Sequence, residues 1–255
     1  MWKSYYNNTT VVFAKTLLQQ NRHVEHEVAL FVEEIKLSLT LSHPNIVYFL
    51  GVSWSSLDDL CLVMEHQMNG DLQSVLHSNG EQMAWAQHKL PMALGVARAL
   101  MYLHGRPQQI LHRDIRAKNV MLSKTFVPKL GEFGVSRHKV DETLSGGTGS
   151  EFWAAPEVLH GTRYSDKADV YSFGVLMNEL DTCHMPYQNY RATMQPLQII
   201  RGILDNSVEL TFSDKCPSRV VAMARACLSP DPQERPRAHQ VVNQLEQLMW
   251  AAQGR

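Results

Sequence analysis

The stretch that most constrains the fold of this chain lies near its middle. Residues 111–122 read LHRDIRAKNVML, so that Asp114 and Asn119 stand five residues apart between a basic residue and an apolar, strand-like run. Residues 130–134 follow as LGEFG and add a second carboxylate at Glu132. A carboxylate can accept a hydroxyl proton, and carboxylate and amide oxygens bind hard cations. The pattern therefore predicts a site for proton transfer beside a bound cation.

These two segments resemble the catalytic loop of protein kinases, H-R-D-x-x-x-x-N, and the D-F-G that follows it in that family. The resemblance implies that Asp114 orients and deprotonates a substrate hydroxyl, and that Asn119 and Glu132 hold Mg²⁺ or Mn²⁺. ATP is then the phosphoryl donor. The resemblance also assigns Arg116 to the catalytic group. Glu132 departs from the family pattern, which has Asp at this position; the longer side chain keeps the charge and changes its reach.

The sequence before these motifs resembles the small lobe of a kinase. Residues 9–17 read TTVVFAKTL and predict a strand, in which Lys15 matches the kinase lysine that holds the α- and β-phosphates. Residues 24–41 carry apolar side chains at three- and four-residue spacing, which predicts a helix. By the family distance to the SHPNIV segment that follows, Glu34 is the partner of Lys15. Glu33 is the alternative, since adjacent helix positions point about 100° apart.

Two further departures from the kinase pattern bear on activity. Ser38, four residues after Glu34, stands where the family packs an apolar side chain against the phenylalanine of D-F-G. We expect a gap there and a weaker inward placement of the helix. The family's G-x-G-x-x-G loop would lie immediately before Met1, because residues 1–3 align with the V-W-K that follows that loop. Without the backbone N–H groups of that loop, we expect the chain to bind ATP poorly.

Residues 60–71 resemble the segment of a kinase that meets the nucleotide. The run LCLVME predicts a buried strand, and NGD ends it. By the resemblance, the backbone just beyond this strand meets the adenine edge and Met121 lies beneath the ring, where it is equally suited to fill the core. Asp71 either reaches a ribose hydroxyl or caps the next helix, and we favour the cap. The residues assigned to the nucleotide are Lys15, Glu34, Met64 at the gatekeeper position, Glu65, Gln67, Asp71 and Met121.

A segment rich in serine, threonine and glycine runs from residue 132 to 157, and its composition predicts a mobile loop. It ends in FWAAPE, which matches the kinase A-P-E. In kinases a loop between these motifs is switched by phosphorylation, so the resemblance implies an upstream kinase acting on it. The phosphate would meet Arg113, next to Asp114. The candidate acceptors are Thr143, Ser145, Thr148 and Ser150.

Two landmarks beyond this loop resemble the large lobe of a kinase. Residues 164–174, YSDKADVYSFG, resemble its buried helix, in which Asp169 would brace the backbone of the catalytic loop. Residues 228–236, LSPDPQERP, resemble its closing turn. The resemblance there predicts an ion pair between Arg235 and Glu157.

The resemblance covers residues 1 to about 250 and implies an α+β, bilobal kinase-like fold. It predicts a small, mostly β N-lobe at about 1–66, truncated before its first strand, and a larger helical C-lobe at about 67–250. With 255 residues, 44% of them hydrophobic, the chain can bury such a core.

Composition also narrows the partners and the compartment. The formal net charge of −1 gives no reason to expect nucleic acid as a partner. No uncharged apolar run approaches the ~20 residues that a membrane span needs. The four cysteines lack C-x-x-C spacing, which favours reduced thiols and a cytoplasmic location.

Two classes of function stay open at this stage. The first is an ATP-dependent protein kinase that phosphorylates a protein substrate, and the second is a pseudokinase that binds partners without catalysis. Glu132, Ser38 and the missing glycine-rich loop favour the second, whereas the retained catalytic motifs favour the first. Within kinases, Gly149-Ser150 stands where serine/threonine enzymes place Gly-Thr, whereas Arg116-Ala117 is closer to a subset of tyrosine kinases. The sequence therefore favours serine or threonine as the acceptor and leaves tyrosine as the alternative.

Overall fold

The computed structural model describes residues 2–7, 9–56, 59–135, 137–138, 150–162 and 164–252. Its N-terminal part contains four strands: β1 (Trp2–Tyr6), β2 (Thr10–Thr16), β3 (Phe49–Ser53) and β4 (Cys61–Glu65). They form one antiparallel sheet in the order β1-β2-β4-β3. A helix, α1 (Glu25–Leu39), packs against this sheet.

The sheet and α1 share a small hydrophobic core that follows from their sequence periods. On β2, Val12 and Ala14 are buried and alternate with less buried neighbours, as expected of a strand with one covered face. On α1, Phe31 and Ile35 lie four residues apart and therefore on one face, where they pack with Leu62 of β4. This packing holds β2 and α1 side by side.

The remainder of the chain is mostly helical. Its helices are α2 (Leu72–Asn79), α3 (Leu90–His104), α4 (Pro156–Leu159), α5 (Asp166–Thr182), α6 (Gln188–Arg191), α7 (Pro196–Leu204), α8 (Ser218–Cys227) and α9 (Ala238–Ala252). The apolar faces of α3, α5, α8 and α9 form the main hydrophobic core. Because α5 is buried along most of its length, its polar side chains must find partners inside the protein.

Short strands between α3 and α4 carry the loops of the predicted site. They are β5 (Ile110–Leu111), β6 (Val120–Leu122), β7 (Pro128–Leu130) and β8 (Arg137–His138). β6 pairs with β7, and β5 pairs with β8. Leu130 N donates to Asn45 O at 2.8 Å, and Val47 N donates to Leu130 O at 2.9 Å. These bonds join the hairpin β6–β7 to the segment that follows α1.

The hairpin β6–β7 also lies close to α3. A Cβ placed on Gly95 would lie 2.4 Å from Pro128 Cγ, so only glycine fits at this contact.

The observed architecture confirms the predicted α+β fold, with a small antiparallel sheet followed by a larger helical region. The helix predicted at 24–41 spans Glu25–Leu39, and the strand predicted at 9–17 spans Thr10–Thr16. The division into lobes near residue 66 stays a prediction. Of the helices in the described ranges, none is both long enough and apolar enough to cross a membrane.

Candidate active site

The backbone of the catalytic loop is held by one buried carboxylate on α5. Asp169 accepts hydrogen bonds from the backbone N–H groups of His112 at 2.9 Å and Arg113 at 2.8 Å. It also accepts one from the Tyr164 hydroxyl at 2.8 Å and lies 2.8 Å from His104 Nε2. Burial raises the pKa of Asp169, but these hydrogen bonds and the nearby histidines more than offset it, so the pKa lies below its usual value. The predicted bracing role of Asp169 is present in the structure.

His112 links the catalytic loop to the segment that carries Glu132. Its side chain is fully buried, and burial lowers its pKa, which keeps the ring neutral. Nε2 donates to Gly131 O at 2.9 Å, while Nδ1 accepts from Asp114 N at 3.3 Å. The edge of the ring contacts Phe133 at a centroid distance of 5.1 Å. One neutral imidazole therefore fixes the backbone on both sides of the site.

The predicted base and the predicted metal ligand touch each other directly. Asn119 Nδ2 donates to Asp114 Oδ2 at 2.6 Å and to Asp114 O at 2.8 Å. Arg116 Nε lies 3.1 Å from Asp114 Oδ1, within ion-pair range but without hydrogen-bond geometry. Oδ1 is buried and accepts no hydrogen bond from the residues that the structure describes, so one acceptor of Asp114 is left unused.

A second cluster joins β2, α1 and the segment after β7. Lys15 Nζ lies 2.6 Å from Glu34 Oε1 and 3.0 Å from Glu132 Oε2. Burial lowers the pKa of Lys15, but the two carboxylates more than offset it, so the ammonium form is favoured. The predicted choice of Glu34 over Glu33 agrees with this geometry, since Glu33 pairs with Lys36 at the surface.

The gap expected beside Ser38 is small. The hydroxyl of Ser38 donates to Glu34 O at 2.8 Å, and the cavity between α1 and Phe133 measures only about 10 Å³. This volume holds one water at most. The ion pair of Lys15 with Glu34 is formed, so α1 is placed inward. A weaker hold on that placement stays a prediction.

Glu65 and Asp71, both assigned to the nucleotide, have carboxylates that bind other residues of the protein. Glu65 directs its carboxylate to Lys129 Nζ at 2.6 Å and to Tyr48 N at 2.7 Å, so that only its backbone is left for a base. Asp71 caps α2 by accepting from Ser74 N at 2.8 Å, which favours the cap over the ribose role.

The three other residues of this set lie on two segments: Met64 and Gln67 on or just beyond β4, and Met121 on β6. Gln67 is buried, and within the described ranges its Nε2 donates no hydrogen bond. Met64 and Met121 are half-buried.

One contact of the site was not predicted from the sequence. Glu179 on α5 accepts hydrogen bonds from Ala117 N at 3.0 Å and from Trp153 Nε1 at 2.8 Å. Burial raises its pKa to about 7, since these two donors only partly compensate for the loss of water. The guanidinium of Arg116 lies over the Trp153 ring at 5.5 Å. Glu179 thus joins the catalytic loop to the segment before the A-P-E sequence. In the sequence, Glu179 is one of several charged residues of α5, and nothing in its spacing marks it as a partner of the catalytic loop.

The predicted ion pair beyond this segment is also present. Arg235 Nη1 lies 2.7 Å from Glu157 Oε1, and Nη2 lies 2.8 Å from Oε2.

The predicted phosphorylation switch falls largely outside the described residues, because Thr143, Ser145 and Thr148 are among those not described. Ser150 is described and directly precedes the helical turn Glu151–Trp153. The guanidinium of Arg113 lies over the Tyr164 ring at 5.5 Å. Phosphate binding by Arg113 stays a prediction.

The family model of protein tyrosine and serine/threonine kinases matches residues 1–245. The chain belongs to the protein kinase family. This kinase domain is 34% identical over 245 residues to the serine/threonine-protein kinase CTR1 of Arabidopsis thaliana, covering 94% of the chain and 29% of that protein. It is 32% identical over 218 residues to the probable serine/threonine-protein kinase drkB of Dictyostelium discoideum, covering 86% of the chain and 31% of that protein. The chain therefore spans about a third of the length of these relatives.

The donor atoms of the kinase site fit a magnesium ion that arrives with a nucleotide. Within the described ranges, no group of three or more His, Cys, Asp or Glu could hold a metal ion by itself. Mg²⁺ is usually bound by one or two carboxylates together with substrate phosphates. Glu132 offers the carboxylate, and Asn119 has its amide oxygen left because its nitrogen faces Asp114.

Proposed function

We propose that this kinase domain transfers the γ-phosphoryl group of ATP to a serine or threonine hydroxyl of a protein. The observation that carries the proposal is the ion pair of Lys15 with Glu34 at 2.6 Å, with the carboxylate of Glu132 at 3.0 Å from the same ammonium. In kinases the pairing of these two residues must be in place for phosphoryl transfer. A salt bridge between Lys15 and Glu34 with only a structural role would not require the third charge that Glu132 supplies.

In this proposal the tasks are divided among five residues. Asp114 accepts the proton of the substrate hydroxyl through Oδ1, while Asn119 holds the other carboxylate oxygen. Lys15 binds the phosphates, and Asn119 and Glu132 hold the metal. Magnesium, when bound, neutralises charge that develops on the phosphoryl oxygens. Arg116 keeps the carboxylate of Asp114 in place from the opposite side.

The choice of serine or threonine is supported by two observations. The relatives CTR1 and drkB are named as serine/threonine-protein kinases. Gly149-Ser150 stands where such enzymes place Gly-Thr. Arg116-Ala117 supports the alternative of a tyrosine-specific enzyme.

A second candidate function is a pseudokinase that binds partners without catalysis. Glu132 favours it, because the family has Asp at this position. In both cases we propose a cytoplasmic protein with one kinase domain over residues 1–250. An upstream kinase acting on the loop at 132–157 belongs to the proposal as well.

Phosphoryl transfer from labelled ATP to a mixed casein substrate tests the proposal, with magnesium and then with manganese. We expect Asp114→Asn to lower the rate by about 10²–10⁴-fold, because proton transfer by a positioned side chain contributes that much. The exposed Asp214 supplies a matched control, and Asp214→Asn should leave the rate unchanged. Analysis of the labelled amino acids separates serine and threonine from tyrosine. Equal rates for the original chain and Asp114→Asn would favour the pseudokinase.

A further inference from the structure

Arg191, the last residue of α6, is held in a fixed position beside the segment that precedes the A-P-E sequence. Its guanidinium lies over the ring of Phe152 at 4.5 Å from the centroid. Its Nε donates to Pro186 O at 3.2 Å. A planar guanidinium stacked on a ring and bonded to a carbonyl has lost much of its freedom, so it is prepared to bind a ligand.

This guanidinium has no acidic partner in the described part of the chain. Nη2 is buried and donates no hydrogen bond to any residue that the structure describes. By contrast, Arg98 lies 2.7 Å from Glu246 and Arg235 lies 2.7 Å from Glu157. Burial lowers the pKa of Arg191 in the absence of such a carboxylate. A half-buried cation with an unused donor is a binding position for an anion.

A series of neighbouring side chains connects Arg191 to Asp114, the predicted base. Phe152, under its guanidinium, is followed directly by Trp153, whose ring lies under Arg116 at 5.5 Å. Arg116 in turn lies 3.1 Å from Asp114. Asp114 already balances the charge of Arg116. Of these two arginines, Arg191 is therefore the one without a carboxylate partner in the described part of the chain. An extended peptide advances about 3.3 Å per residue, so we place the side chain that meets Arg191 within a few residues of the hydroxyl that meets Asp114.

We propose that Arg191 determines substrate specificity by binding an acidic side chain close to the acceptor hydroxyl of the protein substrate. The inference rests on the proposed function, since it assumes a peptide bound at Asp114. The ligand chemistry is a planar or tetrahedral oxyanion, supplied by aspartate or glutamate or by a phosphorylated residue. Both match the two-pronged donor geometry of a guanidinium.

The test measures equilibrium binding of fluorescent peptides without ATP, so that it does not depend on catalysis. The peptides carry one serine in a neutral background, and a single aspartate is moved through the four positions on either side. We expect one or two adjacent positions to tighten binding by about fivefold or more, as a charge-assisted hydrogen bond does. A peptide with phosphoserine in place of the aspartate distinguishes the two sources of the anion. Tighter binding of the phosphoserine peptide indicates a phosphorylated residue, and tighter binding of the aspartate peptide indicates an acidic one.

Three variants make the result specific to Arg191. Arg191→Gln should remove the gain from aspartate, and Arg191→Lys should keep part of it, since the charge stays and the planar fork is lost. Arg201→Gln removes an exposed positive charge from the neighbouring α7 and should leave the gain unchanged. A gain that survives in Arg191→Gln, or no preferred position in the original chain, would overturn the inference. If the preference that depends on Arg191 is found without phosphoryl transfer, the proposed function fails, and Arg191 still binds an acidic side chain of a peptide partner.

Discussion

We expect Glu132→Asp to raise the rate of phosphoryl transfer by about tenfold or more. The extra methylene of glutamate moves the carboxylate by up to ~1.5 Å, whereas a catalytic group must be held to within about 0.5 Å. Mg²⁺ increases the penalty, because it requires near-octahedral oxygens at about 2.0–2.1 Å. A misplacement of about 1 Å can cost on the order of 10²-fold in rate. Bending of the longer side chain recovers only part of this loss.

The same change should leave the fold intact. Residue 132 has a φ of 61°, in the left-handed region that aspartate adopts more readily than glutamate. The shorter side chain moves away from Lys15, but the pair of Lys15 with Glu34 at 2.6 Å is independent of it. We therefore expect the melting temperature to change little while the rate rises.

Two controls separate this effect from a general change in the site. Glu132→Gln keeps the length and removes the charge, so it should lower transfer further. Adding Asp114→Asn to Glu132→Asp should abolish the gain. If Glu132→Asp binds ATP and magnesium but transfers no more phosphate than the original chain, Glu132 is not the limiting defect, and the pseudokinase proposal becomes the better one.

The second large effect concerns stability. We expect Arg235→Met to destabilise the fold by about 3–5 kcal/mol, because it leaves a partly buried carboxylate without its partner. Arg235 is 1% exposed, holds both oxygens of Glu157 and donates from Nε to Ser229 O at 2.7 Å. Its guanidinium also lies over the Tyr171 ring at 5.0 Å. For a chain of this size the loss lowers the melting temperature by about 10 °C.

Arg98→Met provides the matched control for this prediction. Arg98 pairs with Glu246 at a similar distance of 2.7 Å, but both side chains are about half exposed, at 46% and 40%. An exposed pair contributes about 0.2–1 kcal/mol, so this change should be mild. The double change of Arg235→Met with Glu157→Gln should recover part of the stability, since no unpaired charge is left. A loss for Arg235→Met as small as that for Arg98→Met would contradict the structural role of the pair.

The parts of the site that the sequence predicted are those fixed by local periodicity and motif spacing. Glu34 could be preferred to Glu33 from its distance to the SHPNIV segment, and the helical turn of about 100° per residue means that only one of two adjacent acids faces Lys15. Asp71 could be assigned as a cap because it stands directly before an amphipathic run, and the structure bonds it to Ser74 N. In both cases the decisive geometry lies within a few residues of the motif.

The parts that could not be predicted depend on packing between distant segments. Nothing near Glu179 in the sequence indicates Trp153 as a partner, because their contact requires α5 to pass beneath the catalytic loop. The pairing of Glu65 with Lys129 likewise joins two strands 64 residues apart. The size of the gap beside Ser38 could not be predicted either, because the sequence does not tell how closely neighbouring side chains close around a small residue.

The central claim is that Lys15, Glu34, Asn119 and Glu132 form one site for a nucleotide with its metal ion. Thermal unfolding with ATP, in the presence of magnesium or of EDTA, tests it most directly. A ligand at about 100 times its Kd stabilises the folded protein by about 2.7 kcal/mol. We predict a melting temperature that rises with ATP and magnesium together, rises less with EDTA, and is unchanged by ATP in Lys15→Met. The surface change Lys36→Met should respond like the original chain. An equal response of the original chain and Lys15→Met, or one that magnesium does not affect, would contradict the account.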